Sequence, residues 1–253
     1  MSKTDDIRGK WSKPWCLYPY EGAEDPCPIW TDDGRCYLAI GFAKSKAGFN
    51  SQIAVMEVKP DLSEVISEHY TVVYDGHNDN PCIEGPKFYK HGDYYYIYCP
   101  AGGVKHGWQT ALRSKDILGK YESKIVMMRH DSNINGPHQG ALVDLSDGGW
   151  AFVHFCDREA YGRITYLQPA EWIDGWCICG KVTDRLLAGT PVEFADYPVD
   201  IKTGYNISYS DDFKEGISPV WQTPAVCGKN WYKAQNGLRI CADEQDIYSC
   251  EKL

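Results

Sequence analysis

The sequence lacks the features that mark membrane-spanning and nucleic-acid-binding proteins. Within its 253 residues, no apolar run approaches the roughly 18 residues needed to cross a bilayer. Acidic residues outnumber basic ones by 35 to 26, and the net charge of −9 argues against a nucleic acid or an anionic membrane as partner. Hydrophobic residues at 43% and charged residues at 24% exclude wholesale disorder, so we expect a globular protein that binds a neutral ligand.

The eleven cysteines lack the spacing of a metal site or a redox motif. Cys177 and Cys179, the closest pair, are separated by one residue, and no CxxC sequence occurs. A disulfide framework is not expected in a chain of this size, and buried thiols predict a reducing, cytoplasmic compartment. The first six residues contain no apolar segment of a signal peptide, an absence that loses its meaning if other residues precede Met1 in the natural protein.

Aromatic residues and turn formers are abundant instead. The chain has 18 Tyr, 9 Trp and 7 Phe, together with 24 Gly and 14 Pro. This mixture favours short strands, many turns and flat apolar surfaces of the kind on which sugars stack. Helical periodicity is weak throughout, so the predicted fold class is all-β.

A repeat of 56 to 58 residues organises most of the chain. Its turn glycines are Gly34, Gly92 and Gly148. Each unit predicts a strand, a hairpin turn that contains the glycine, an aromatic-rich strand and two further strands. Four antiparallel strands recurring at this period predict the blades of a β-propeller.

A second repeat predicts that the chain is a piece of a longer protein. The sequence DIRGKW at residues 6–11 matches DILGKY at 116–121, which lies between the third and fourth strands of its unit. Three complete blades and this tail are fewer than the about four blades that close a ring. We therefore expect a partial propeller over residues 1–181, a linker over 182–206 and the first strands of a β-sandwich over 207–253.

Three polar residues start the repeated units. Asp25, Glu84 and His138 precede their turn glycines by nine, eight and ten positions, on the strand nearest the central channel of a propeller. Two carboxyl groups and a histidine that converge there suit a site that cleaves sugars, in which one carboxyl must be protonated. The alternatives are a turn initiator for Asp25, a surface turn for Glu84 and a hydrogen-bonded structural role for His138.

Several motifs resemble those of glycoside hydrolase family 43. They are IEGPKFY at residues 83–89, GDYYY at 92–96, GPHQG at 136–140 and the short motifs GR, LQP, EW and GW within 162–176. The resemblance covers residues 5–180 and implies a five-bladed propeller enzyme that acts on xylan and arabinan side chains. The tail, with DDF at 211–213 and GLR at 237–239, is similar to the start of the β-sandwich in β-xylosidase-type members.

The resemblance also implies roles for individual residues. Family members invert the anomeric carbon with a general acid, a general base and a second aspartate that tunes the acid. Glu84 matches the general acid and Asp25 the tuning aspartate. His138 matches a histidine beneath the site, which in many members helps to hold a calcium ion in the central channel, often through water.

The remaining site residues concern the substrate and the base. Arg163 matches an arginine that reaches toward the substrate, and Trp108 and Phe42 are further candidates for binding a xylo- or arabino-oligosaccharide. The motif of the general-base aspartate has no match in the sequence, since family members carry it on a first blade that this chain lacks. We therefore expect the chain alone to have little or no activity.

Two other classes of function remain open. A non-catalytic propeller could bind plant polysaccharide through aromatic residues such as Trp108 and Tyr161. An inert scaffold would instead expose open sheet edges and aggregate. The sequence does not separate a xylosidase from an arabinofuranosidase, and it leaves the oligomeric state open.

Overall fold

The computed structural model describes residues 1–134, 136–184, 188–198, 208–218, 220–221 and 232–241. The chain divides into two compact units, Met1–Val199 and Asp200–Leu253. Among the described residues, helical structure is limited to the four-residue helix α1, Lys44–Ala47, and the 3₁₀ turn Glu159–Tyr161. The predicted all-β class is confirmed. None of the described helices is long and apolar enough to cross a membrane.

The first unit contains three four-stranded antiparallel sheets that follow one another along the chain. Sheet 1 consists of β1 (Ala23–Trp30), β2 (Cys36–Phe42), β3 (Gln52–Val58) and β4 (Thr71–Asp75). Sheet 2 consists of β5 (Lys87–His91), β6 (Tyr94–Ala101), β7 (Trp108–Ser114) and β8 (Glu122–Met127). Sheet 3 consists of β9 (His138–Asp144), β10 (Trp150–Asp157), β11 (Arg163–Ile173) and β12 (Trp176–Cys179). In each sheet, consecutive strands are hydrogen-bonded neighbours, as the repeat predicts.

The turn between the first two strands of each sheet depends on glycine. Gly34, Gly92 and Gly148 have φ values of +83°, +54° and +84°. Tight hairpin turns need a positive φ, which a side chain disfavours. Glycine is therefore the favoured residue at the hairpin turn of each of the three repeated units.

The sheets pack face to face through two apolar clusters. The first joins sheets 1 and 2 and includes Ile53 and Ile97; the second joins sheets 2 and 3 and includes Tyr98 and Phe152. Complete burial of such side chains stabilises the fold by about 1.5–3 kcal/mol each. The hydroxyl of Tyr98 also donates a hydrogen bond to the carbonyl of Cys177 at 2.9 Å, which links sheets 2 and 3.

The DIRGKW repeat has a structural basis. The amide of Gly9 donates to the carbonyl of Asp6 at 2.7 Å, and the amide of Gly119 donates to that of Asp116 at 3.0 Å. In both turns the aspartate side chain also accepts from the amide two residues later, at 2.9 and 3.1 Å. The two segments therefore form the same turn.

The predicted boundary of the propeller differs from the boundary between the units. The amide of Gly189 donates to the carbonyl of Val126, and Lys181 and Thr190 exchange two backbone hydrogen bonds. This pairing attaches part of the predicted linker, residues 182–206, to sheets 2 and 3. The rest of that linker, in 185–187 and 199–206, lies outside the described residues.

In the second unit, the described strands are β13 (Tyr232–Ala234) and β14 (Leu238–Ile240), which pair as an antiparallel hairpin. About half of the predicted sandwich, residues 207–253, lies outside the described residues.

Candidate active site

The first strand of each sheet begins beside a residue in the left-handed backbone region. Asp25, Gly85 and Gln139 have φ values of +52°, +58° and +50°. In sheet 1 the pairing of β1 with β2 shifts between Glu24 and Cys27, and the pairing of β9 with β10 shifts by the same amount. Such β-bulges bend the strand and redirect its side chains. A left-handed residue therefore recurs at one end of all three sheets, and a register shift accompanies it in sheets 1 and 3.

The bulges correct the equivalence that was predicted from the turn glycines. Glu24, Glu84 and His138 each precede the left-handed residue, so these three occupy the same structural position. Asp25 is instead equivalent to Gly85 and lies one residue further along. Counting back from the turn glycine misaligns the units because the first strands differ in length between bulge and turn. The shared pattern of EDP at residues 24–26 and EGP at 84–86 gives the correct alignment of the first two units.

Glu84 and His138 meet across the interface of sheets 2 and 3. The Nε2 atom of His138 lies 2.7 Å from Oε1 of Glu84. His138 is only 2% exposed, and its ring lies 5.5 Å from that of Phe155, its partner in the β9–β10 pairing. The Glu84 side chain remains 33% exposed. A buried imidazole therefore holds one oxygen of a carboxyl group that solvent can still reach.

Asp25 is connected to the same place through Gln139 and Lys87. The Nε2 group of Gln139 donates to Oδ2 of Asp25 at 2.9 Å. The ammonium group of Lys87 donates to Oε1 of Gln139 at 3.3 Å and to the carbonyl of Gly85 at 3.1 Å. Because Lys87 fixes the orientation of the amide, its NH₂ group must face the carboxylate. Sequence reasoning missed both Gln139 and Lys87.

Glu24 is a third carboxyl group in this cluster, and it was also missed. Burial raises the pKa of Glu24 above its ordinary value, and the negative charges of Glu84 and Asp25 raise it further. Like charges in proximity favour the protonated form of one of them. Glu24 also lines a cleft of about 320 Å³, together with Trp15 and Tyr18.

Two of the predicted substrate-binding residues, Arg163 and Trp108, differ in whether their contacts lead to this cluster. The guanidinium carbon of Arg163 lies 4.8 Å from the centre of the Phe155 ring, which itself contacts His138. The indole N–H of Trp108 donates to Asn80 at 2.9 Å, and the half-buried ring packs on the core between sheets 1 and 2. Arg163 is thus linked to the cluster by one aromatic ring, whereas Trp108 has a packing partner and a hydrogen bond of its own.

The structure gives Phe42 a packing role. Its side chain is 1% exposed and belongs to the apolar cluster on the other face of sheet 1. The ring contacts Tyr20, Phe49 and Tyr70 at centroid distances of 6.0, 4.7 and 5.3 Å. A ring enclosed in this way has no face on which a sugar could stack, so the prediction that Phe42 binds substrate is corrected.

Calcium, which the resemblance associates with His138, is not confirmed by the described residues. Ca²⁺ takes about six to eight oxygen ligands, whereas His138 offers a ring nitrogen. No group of three or more His, Cys, Asp or Glu side chains that could hold a metal ion occurs among the described residues. The Nδ1 atom of His138 is buried without a hydrogen-bond partner, and it suits a water molecule better than a hard cation.

The fold and the cluster together define a class of protein. Stacked antiparallel sheets bring carboxyl groups and a histidine from successive first strands into one site. Paired carboxyl groups, one of them shielded enough to hold a proton, are the machinery with which enzymes hydrolyse glycosidic bonds.

Comparison with known proteins identifies the family within this class. The model of glycosyl hydrolases family 43 matches residues 2–177, and the chain belongs to this family. Over 222 residues it is 38% identical to a Xylanibacter ruminicola protein described as "Putative beta-xylosidase", a match that covers 88% of this chain and 41% of the relative. Over 189 residues it is 32% identical to a non-reducing end α-L-arabinofuranosidase of Bacteroides ovatus, which covers 64% of this chain and 35% of the relative.

Solved structures show the same fold. The crystal structure of a family 43 protein from Bacillus licheniformis superposes with a TM-score of 0.77 at 23% identity, over 98% of this chain and 48% of that one. The chain thus spans about two fifths of the length of its β-xylosidase relative and about half of this structural neighbour.

Proposed function

We propose that this chain supplies the general acid of an inverting glycosidase that removes xylose or arabinofuranose units from hemicellulose oligosaccharides. The observation that carries the proposal is the contact of 2.7 Å between His138 and Glu84. It fixes Oε1 of Glu84, while Oε2 has no hydrogen-bond partner among the described residues. A proton on Oε2 is then available to the oxygen of the leaving group.

His138 acts in this scheme as a positioning residue. Its ring is held by burial and by Phe155, so its Nε2 atom keeps the Glu84 carboxyl in one orientation. Positioning of the reacting group removes the entropic cost of searching for that orientation during the reaction.

Asp25 takes the role of the second, tuning carboxylate. Its hydrogen bond from Gln139, itself oriented by Lys87, keeps Asp25 beside the acid in a defined orientation. Arg163 reaches the same region through Phe155 and is proposed to contact the substrate. Burial and the negative charges of Glu84 and Asp25 raise the pKa of the neighbouring Glu24, which favours its protonated form.

The general base is proposed to come from a first blade outside this chain. Inverting hydrolysis needs a carboxylate about 6.5–9.5 Å from the acid, with a water between them, and no segment here matches the base motif. In this arrangement sheets 1 to 3 are consecutive blades of a five-bladed propeller that is followed by a β-sandwich. We expect the chain alone to be inactive or nearly so.

The test compares the chain with a hybrid that carries ahead of Met1 the N-terminal blades of a family 43 xylosidase that complete the five-bladed ring, the base-bearing first blade included. Hydrolysis of nitrophenyl β-D-xyloside and nitrophenyl α-L-arabinofuranoside is measured for both. The chain alone should stay at background, and the hybrid should release α-xylose first, as NMR of the fresh product detects. Rapid hydrolysis by the chain alone would contradict the assignment of the base.

Glu84→Gln in the same hybrid tests the acid. We expect kcat to fall about 10²–10⁴-fold, the typical contribution of general acid–base catalysis, with sugar binding largely preserved. Glu68→Gln, at an exposed position, is the matched control and should keep full activity. Retained turnover in Glu84→Gln would refute the assignment of Glu84.

A non-catalytic sugar-binding propeller is the second candidate, and one observation favours it. Tyr161 is 85% exposed and offers a flat face to solvent. A pure binding protein would bind oligosaccharides but show no turnover in the hybrid, with or without Glu84.

A further inference from the structure

Three loops come together at the end of the sheets where Glu84 and His138 lie. They follow β6, β8 and β10, and their described residues are 102–107, 128–134 with 136–137, and 158–162. The amide of Gly136 donates to the carbonyl of Lys105 at 3.4 Å, which joins the first two loops. A guanidinium N–H of Arg158 donates to the carbonyl of Asn133 at 3.4 Å, which joins the last two.

These loops enclose a cleft of about 490 Å³ whose lining has one more basic than acidic side chain, with His106 counted as neutral. Lys105, Arg129 and Arg158 contribute permanent positive charges, and His106 lies beside them. Two acidic residues, Asp157 and Glu159, complete the charged groups. The chain as a whole carries a charge of −9, so this excess of positive charge opposes the overall balance.

The positive charges of Lys105 and Arg129 have no ion-pair partner among the described residues, whereas the negative charge of Glu193 acts on Arg158. Arg158 donates to the hydroxyl of Tyr166 at 2.9 and 2.7 Å, and Nε of Arg129 donates to the carbonyl of Ser132 at 2.9 Å. Both partners are neutral. Among the described residues, neither arginine nor the exposed Lys105 forms an ion pair with a carboxylate. The cleft therefore keeps its capacity to bind an anionic group.

The cleft also has a surface suited to a sugar ring, and it is close to the catalytic cluster. Tyr161, which lines it, is 85% exposed. Asp157 lies two residues beyond Phe155, the strand partner of His138, and two residues of a strand span about 7 Å. A sugar bound in the cleft is thus within one or two rings of Glu84.

We infer that this cleft is a subsite for an acidic sugar, a uronic acid carried by the oligosaccharide substrate, with Lys105 and Arg129 bound to its carboxylate and Tyr161 stacked on its ring. That the ligand is an oligosaccharide rests on the proposed function. The preference for a carboxylate rests on the cleft alone.

The experiment measures binding and therefore does not depend on catalysis. Isothermal titration of the purified chain compares xylotriose with xylotriose that carries one glucuronic acid, at low and at high salt. We expect the acidic sugar to bind about tenfold more tightly, as charge-assisted hydrogen bonds add affinity, and the difference to shrink at high salt. Lys105→Met should reduce the preference, and Lys105→Arg should retain it.

Lys120→Met is the matched control, because exposed Lys120 lies in the β7–β8 loop at the opposite end of sheet 2; it should leave the preference unchanged. Equal affinities for the two sugars, no binding of either, or a preference that survives Lys105→Met would overturn the inference. Equally tight binding of inorganic phosphate at the same cleft would identify a general anion site and would also overturn it. If neutral xylotriose binds without any acidic preference, the inference fails while the proposed function stands.

Discussion

The side-chain amide of Gln139 donates a hydrogen bond to Asp25 from two sheets away, at 2.9 Å. The Gln139 side chain lies against Gly85, a residue without a side chain in the sheet between them. A Cβ atom on Gly85 would lie 2.5 Å from Oε1 of Gln139. The order of the cluster therefore depends on a residue that contributes only its backbone.

Gly85→Ala should disrupt this link. The variant adds the strain of alanine at a φ of +58° and displaces the amide of Gln139. Gly92→Ala is a matched control, because Gly92 has a similar φ of +54° and an added Cβ atom there would meet only open space within 4 Å. We expect Gly92→Ala to lower the free energy of unfolding by about 1 kcal/mol, and Gly85→Ala by clearly more. Equal urea midpoints for the two variants would contradict the packing argument.

His154 should make stability depend on pH. Burial lowers the pKa of His154 to about 4, and its ring is stacked between Phe152 and Tyr166. Above about pH 6.5 the ring is neutral in both the folded and the unfolded chain, so stability is complete. As the pH falls from about 6.5 to about 4, the unfolded chain takes up the proton first, and up to about 3 kcal/mol is lost.

His154→Phe is the variant that checks this prediction. Phenylalanine keeps the stack and cannot be protonated, so its free energy of unfolding should fall less steeply over the same pH range. His69→Phe, at an exposed position, should follow the unmodified chain. Parallel pH profiles for His154→Phe and the unmodified chain would show that other groups cause the loss.

Glu24 should titrate above the ordinary range of a glutamate, and its pKa should respond to its neighbours. Glu84→Gln removes the larger of the two charge effects on the pKa of Glu24, so it should lower that pKa more than Asp25→Asn does. Carbon-13 NMR of the glutamate carboxyl groups during a pH titration measures the shift. Glu68→Gln should leave the pKa of Glu24 unchanged. If Glu84→Gln also leaves it unchanged, Glu84 does not influence the ionisation of Glu24 and the prediction is wrong.

Tyr98→Phe should weaken the attachment of sheet 3 to sheet 2. The buried carbonyl of Cys177 loses the O–H donor that lies at 2.9 Å and keeps, among the described residues, only the weaker thiol donor of Cys179 at 3.8 Å. A buried acceptor without its donor costs about 1–2 kcal/mol. Tyr95→Phe is the control, since the Tyr95 hydroxyl has no hydrogen-bond partner among the described residues. Urea unfolding should separate the two variants, and equal stability would contradict the role of this hydrogen bond.

The three sheets could be predicted because local chemistry determines them. Turn glycines such as Gly34 need a positive φ, and the strands on either side alternate or run apolar according to the faces they bury. All seven residues of β2 are buried, which explains why Phe42, the last of them, packs in the core. An apolar residue that ends a wholly buried strand belongs to the core rather than to a binding surface.

The site could be predicted only in part. Glu84 and His138 were found because the repeat places them on corresponding strands. Gln139 and Lys87 act across sheets, and a contact of that kind depends on the packing distance between sheets rather than on spacing in the chain. Glu24 was missed because the first strands differ in length between bulge and turn, so counting back from the turn glycine selected Asp25 instead of Glu24 as the counterpart of Glu84.

The recurring bulge has a consequence for how the chemistry of such a protein can change. The backbone conformation places the residue before each left-handed position at the same end of its sheet. Glu24, Glu84 and His138 therefore occupy equivalent positions. Exchanging a side chain at one of them alters the set of acids and bases without rebuilding a loop. A substitution at one of these three positions is therefore expected to change the titratable groups of the site while leaving the neighbouring turn intact.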